Sequence, residues 1–108
     1  MYTNCDEVFK LTIPAVRIAA AKSLSKRYSM SQSEIAKRLG IAQPAISKYL
    51  KGRYTAPIKR LESVVERRRL AEPVARLAAG RNGRRSVSEK IDEIASSELL
   101  VREALKLV

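Results

Sequence analysis

Residues 32–52 read QSEIAKRLGIAQPAISKYLKG, and this stretch predicts two short helices joined by a tight turn. Ser31 stands where it can cap the first helix, and Glu34, three residues later, completes the pattern of a capping box. Gly40 supplies the turn with a residue that tolerates a left-handed backbone. Pro44 falls in the first turn of the second helix, where its missing N–H costs little.

Each of these two helices carries one apolar face at helical spacing. The residues expected to point inward are Ile35, Ala36 and Leu39 in the first helix and Ile46, Tyr49 and Leu50 in the second. Ile41 returns to the core between them, and Gly52 ends the second helix. The pattern therefore predicts a compact helical hairpin with one outward face on each helix.

This pattern resembles the helix-turn-helix of the lambda-repressor/Cro (XRE-like) family of DNA-binding regulators. Gln32 opens the unit, Ala36 is the small residue where the helices cross, Gly40 is the turn glycine, and Gln43 and Ile46 occupy the start and the buried position of the second helix. The resemblance implies an all-α fold of about five helices, which a chain of this size can bury. It also implies that the second helix enters the major groove of DNA. The alternative is an ordinary hairpin that only packs on its neighbours.

The resemblance implies two sets of DNA contacts. The residues left outside on the second helix, which we expect to read bases, are Gln43, Ala45, Ser47 and Lys48. Glutamine can pair with adenine, lysine can donate to guanine, and the alanine methyl suits the thymine methyl. The residues expected to hold phosphates are Gln32, Ser33, Lys51 and Arg53, and Tyr54 is also expected to reach the backbone.

The charge distribution favours a polyanionic partner. The chain of 108 residues has a net charge of +11, with ten basic residues and one acidic residue between residues 8 and 55. Residues 86–108, by contrast, hold five acidic and three basic residues. A basic domain is the electrostatic footprint of a nucleic-acid-binding protein or of one that binds an anionic membrane. Together with the helix-turn-helix pattern, the charge favours double-stranded DNA.

The composition argues against an enzyme. The chain has no histidine and a single cysteine, Cys5, which removes histidine-activated nucleophiles, cysteine-cluster metal sites and internal disulfides. The eleven acidic residues are scattered over faces that read as solvated, and no cofactor is indicated. No apolar run approaches the roughly 18 residues that cross a membrane, and no signal peptide is recognisable. We therefore expect a cytoplasmic protein.

The helices around the motif are predicted from apolar periodicity and prolines. A helix of about fifteen residues is expected to start at Thr12, with Pro14 in its first turn, Tyr28 on its apolar side and Lys22 on its outer side. A further helix is expected from Pro57, and Pro73 should kink or split it near Glu72. The run 67–69 is three arginines, which either contact DNA or solvate the outer face.

The chain is predicted to divide into three parts. Residues 1–79 are expected to form the DNA-binding domain, residues 80–85 a mobile basic linker, and residues 86–108 a last helix. The apolar residues of that helix fall at alternating spacings of four and three, as in a coiled coil; the ones expected to dimerise are Ile91, Ile94, Val101 and Leu105. The alternative is that this helix docks on the chain's own core.

These observations predict a homodimeric, sequence-specific DNA-binding regulator of transcription that acts as a repressor. The segments 14–17 and 48–53 are also similar to a group of small archaeal predicted transcriptional regulators. Two alternatives are a non-specific architectural DNA-binding protein and an antitoxin-like adaptor that binds proteins through the acidic tail. RNA is a more distant alternative because the aromatic residues that stack on bases are few.

Overall fold

The computed structural model describes residues 5–81 and 83–108, and every regular element in this part of the chain is a helix. The helices are α1 (Cys5–Arg27), α2 (Gln32–Leu39), α3 (Gln43–Leu50), α4 (Ala56–Arg67), α5 (Glu72–Ala79), α6 (Arg84–Ala95) and α7 (Glu98–Leu105). The predicted all-α class is confirmed, with seven helices in place of about five. None of the described helices is long and apolar enough to cross a bilayer.

Helix α1 lies at the centre of the fold, because each of the other six helices packs against it. Its buried alanines, which include Ala15, Ala20 and Ala21, have small side chains and so let neighbours approach closely from several sides. One continuous hydrophobic cluster runs from Val8 of α1 to Ala104 of α7. Residues of the carboxy-terminal segment therefore share a core with the helices of the motif.

The expected start of α1 at Thr12 is wrong. The helix is already formed at Cys5, so Thr12 is a buried interior residue and Pro14 lies inside the helix. An interior proline costs about 3 kcal/mol, and the burial of Val8 in the core offsets part of that cost. The buried Thr12 hydroxyl has no hydrogen-bond partner among the described residues, so its burial does not add to that compensation. Tyr28 was expected on the apolar side, but it follows the helix end and is 41 % exposed.

The motif helices form as their sequence predicts. Ser31 Oγ accepts a hydrogen bond from the Glu34 N–H at 3.2 Å, which caps α2. Gly40 ends α2 in the left-handed region (φ 69°, ψ 35°), and Pro44 lies in the first turn of α3. The second half of the capping box is replaced by an ion pair, because the Glu34 carboxylate accepts from Arg38 Nε at 2.7 Å.

After the motif, the break predicted from Pro73 is confirmed, whereas the linker expected at residues 80–85 is partly helical. The expected break near Glu72 is confirmed: α4 ends at Arg67, α5 begins at Glu72, and Pro73 lies in the first turn of α5. Helix α6 begins at Arg84, so the last two residues of the expected linker are helical. Asn82 of that linker lies outside the described residues.

The single carboxy-terminal helix expected from the sequence is wrong, because α6 and α7 are separate. Ser96 Oγ donates to the Asp92 carbonyl at 2.7 Å and so ends α6. Ser97 then has an extended backbone and precedes α7. Serine side chains compete for backbone groups in this way, and adjacent serines interrupt a helix that apolar periodicity alone would continue.

Candidate nucleic-acid interface

Helix α3 leaves its outer face uncovered. Among the described helices only α1 and α2 pack against it, and Ile46 is the fully buried residue that attaches it to the core. Gln43 and Lys48 are exposed, whereas Ala45 and Ser47 are half-buried. All four residues predicted to read bases thus retain solvent access on one short helix.

The residues predicted to hold phosphates lie at the two ends of this unit. Gln32 is half-buried and Ser33 exposed in the first turn of α2, where free amides and the helix dipole favour an anion. Lys51 and Arg53 follow α3 and are exposed. Between them Gly52 adopts φ 73°, a left-handed conformation that reverses the chain at low cost only for glycine.

Tyr54 does not have the expected role of a phosphate contact. Its hydroxyl donates to the carboxylate of Glu62 and accepts from Lys22 Nζ at 3.0 Å, and Lys22 Nζ also lies 2.8 Å from Glu62 Oε2. Glu62 is buried, and Lys22, expected on the outer side of α1, is half-buried. This triad ties the residue next to Arg53 to α1 and α4, so it positions the loop that follows α3.

The charges of the triad are fixed by opposing effects. Burial acts to lower the pKa of the Lys22 ammonium, but its hydrogen bonds to Glu62 and Tyr54 outweigh burial and leave that pKa above its usual range. Burial acts to raise the pKa of Glu62, yet hydrogen bonds from Glu66, Lys22 and Tyr54 lower it overall. Burial and the hydrogen bond to Glu62 raise the pKa of Tyr54. The Lys22–Glu62 pair is therefore charged at neutral pH.

Arg38 connects the motif to the helices that follow it. Its Nη1 donates to the carbonyl oxygens of Ala78, at 3.0 Å, and of Gly80, at the end of α5. The interaction could not be predicted from the sequence because both acceptors are backbone atoms some forty residues away. It holds the end of α5 beside the end of α2.

The residues predicted to dimerise occupy different environments. Ile91 is 3 % exposed within the chain's own core. Ile94 and Val101 are half-buried and pack against that core, whereas Leu105 is 48 % exposed. Residues 86–108 thus dock on the chain itself, which was the alternative to dimerisation, and a dimer contact stays a prediction.

The geometry defines the class of protein. Two short helices are joined by a glycine in the left-handed conformation, and the outer face of the second helix is uncovered. On a strongly basic chain, this arrangement forms a helix-turn-helix nucleic-acid-binding unit. A family model described as helix-turn-helix matches residues 22–67. This match confirms the predicted resemblance of the segment to helix-turn-helix domains of the Cro/C1 (XRE-like) type. A domain of this type indicates a DNA-binding regulator of transcription, a class that is typically not enzymatic.

The matched segment contains α2, α3, α4 and the end of α1, so α5–α7 and most of α1 lie outside it. No curated protein and no solved structure matches the chain. The similarity to small archaeal regulators therefore stays a prediction.

Proposed function

We propose that this chain is a sequence-specific regulator of transcription that binds double-stranded DNA through α3. The observation that carries the proposal is the uncovered face of α3, on which Gln43 and Lys48 are exposed beside a buried Ile46. A helix of this kind fits the major groove with its early residues at the base edges. The residues assigned to base reading are Gln43, Ala45, Ser47 and Lys48.

The phosphate contacts are assigned to residues on both sides of α3. Gln32 and Ser33 present the start of α2 to one phosphate, and Lys51 and Arg53 lie near the other end of α3. Contacts of this kind set the register of the protein on DNA without reading sequence. The net charge of +11 supports a binding constant that falls steeply with salt.

We further infer that the protein acts as a homodimer and as a repressor. A two-fold dimer places two recognition helices one turn of DNA apart and doubles the contact area. Because Ile91 is used within the chain, the proposed contact depends on Leu105, with Ile94 and Val101 at its edge. A dimer bound at a promoter would exclude the polymerase by occupying its site.

Selection of binding sites from random duplex DNA with the full chain tests this function. We expect a palindrome with half-site centres about ten base pairs apart. Gln43→Ala should then relax the preference at one position in each half-site. Lys51→Ala should weaken binding to all duplexes alike and lower the salt slope by about 0.9 for each bound subunit, or about 1.8 for the dimer. Lys106→Ala, just after α7, is the matched control and should change neither property.

Two results would contradict the proposal. Tight, salt-sensitive binding with no enriched sequence would instead establish a non-specific architectural protein. An absence of duplex binding, together with a protein partner that is lost when residues 86–108 are deleted, would establish an adaptor. A reporter placed behind the selected site separates repression from activation.

A further inference from the structure

The start of α6 lies against the turn of the helix-turn-helix. A Cβ placed on Gly40 would stand 3.4 Å from Arg84 Cδ and 3.9 Å from Arg84 Cβ and Cγ. The aliphatic part of Arg84 therefore covers the turn between α2 and α3. Gly40 precedes Gln43 by three residues, so their Cα atoms are no more than about 11 Å apart. Arg84 thus lies close to the end of α3 that is assigned to the bases.

Contacts with neighbouring helices hold α6 in this place. Arg38 Nη1 donates to the carbonyl groups of Ala78 and Gly80, which holds the end of α5 against α2. Helix α6 also packs against α2 and α5. The basic residues expected on a mobile arm are therefore presented, at Arg84 and Arg85, from a helix attached to the motif.

The charges at this end of α6 are unfavourable in the free protein. Its first turn contains Arg84 and Arg85 and no acidic residue, although a helix amino terminus carries a positive partial charge that favours anions. Arg81 adds a third exposed cation just before the helix. Arg85 lies 3.7 Å from Glu89, but both side chains are largely exposed, and such a pair stabilises little. A nearby polyanion would relieve this repulsion.

We propose that Arg84, with Arg81 and Arg85 beside it, is a second phosphate-binding site that contacts the DNA backbone next to the groove occupied by α3. This inference rests on the proposed function. The major groove is about 12 Å wide, so phosphates border any helix that lies in it, and a long side chain beside the start of α3 is placed to meet them. A guanidinium can bind a phosphate through two parallel hydrogen bonds. The site lies outside residues 22–67 and extends the DNA contact to α6.

The test compares charge and shape at one position. Arg84→Gln retains most of the aliphatic stem over Gly40 but removes the charge, and Arg84→Lys retains the charge. Binding of the full-length proteins to a labelled duplex is measured by fluorescence anisotropy between about 50 and 200 mM salt. Arg102→Gln, on α7, is the control because α7 packs on α1, α4 and α6 and not on the motif helices.

We expect Arg84→Gln to weaken binding several-fold at low salt and to reduce the salt slope by about 0.9 for each bound subunit, or about 1.8 for the dimer. The loss should be the same on the selected site and on an unrelated duplex, because phosphate contacts carry no sequence information. Arg84→Lys should keep the wild-type slope, and Arg102→Gln should keep both slope and affinity.

Two results would overturn the inference while leaving the proposed function intact. One is a salt slope in Arg84→Gln that equals the wild-type slope. The other is an equal loss of salt slope in Arg84→Gln and Arg84→Lys, which would show that the shape of the side chain, and not its charge, causes the loss. A wild-type protein that binds no duplex would instead overturn the proposed function. Thermal unfolding of each variant shows whether the turn at Gly40 is intact.

Discussion

The carboxyl groups of Glu62 and Glu66 lie one turn apart on α4, and protonated Glu66 donates a hydrogen bond to the Glu62 carboxylate. Lys22 and Tyr54 hold Glu62 in its charged form from the other side. The hydrogen bond to Glu62, burial and the negative charge of Glu62 raise the pKa of Glu66 to about 7, against smaller opposing effects of Lys22 and Lys26. One carboxyl group of the pair is therefore protonated in the folded protein at mildly acidic pH.

This pair predicts that part of the stability is lost as the pH rises from 5 to 8. The folded pKa of Glu66 lies above the ordinary carboxyl value of 4.5, so the folded state binds more protons than the unfolded state between these values. The stabilisation is complete below pH 4.5 and is lost as the pH rises through about 7. Because Glu66 is exposed, solvent screening keeps the effect small.

Urea unfolding of the wild type and of Glu66→Gln at pH 5 and pH 8 measures this effect. Glutamine resembles the neutral acid and can still donate to Glu62, so the variant should lose less stability across the interval than the wild type. The chain has no histidine, which leaves few other groups to titrate in this window. Glu89→Gln, on the exposed face of α6, should behave as the wild type, and equal losses in all three proteins would contradict the assignment.

Helix α7 carries the proposed dimer contact on its exposed side. Leu105 is 48 % exposed and Val108, just beyond the helix, is 52 % exposed, whereas Leu100 and Ala104 are buried in the chain's own core. Leu105→Glu places a charge on the exposed side without disturbing the buried one. We expect this variant to be a monomer by analytical ultracentrifugation. It should keep the part of the thermal stability that comes from contacts within one chain.

A matched substitution at a neighbouring exposed position controls for added charge. Arg102 is exposed on the same helix, and Arg102→Glu should remain dimeric if Leu105 is the contact. A wild-type protein that sediments as a monomer at micromolar concentration would rule out this surface. In that case the half-sites on DNA would have to be bound by independent chains.

The helices most accurately predicted from the sequence are those whose ends depend on neighbouring residues. Ser31, Gly40 and Pro73 act on the backbone within one turn of their own positions, so the boundaries of α2, α3 and α5 that they set could be predicted from the sequence. The start of α1 could not be predicted in this way, because the burial of Thr12 depends on helices distant in the sequence. The same reason explains Tyr54, whose partners Lys22 and Glu62 are brought together only by the tertiary fold.

The core itself shows how closely the carboxy-terminal segment is joined to the motif. Helix α1 packs on α6 and α7 as well as on α2 and α3, and α7 also packs on α4. Val87, Ile91 and Leu100 are at most 3 % exposed. Removing residues 80–108 would expose the surfaces of α1, α2 and α4 that these side chains cover, and each fully buried residue of this size contributes about 1.5–3 kcal/mol.

We therefore predict that residues 1–79 do not fold independently, although the sequence pattern suggested a domain boundary there. The loss of several such residues amounts to most of the 5–15 kcal/mol that stabilises a typical domain. Circular dichroism of the 1–79 fragment should show reduced helicity and no cooperative thermal transition, and mixing with an 80–108 peptide should restore part of both. A fragment that unfolds cooperatively and binds DNA as tightly as the full chain would show that α6 and α7 are accessory to the motif.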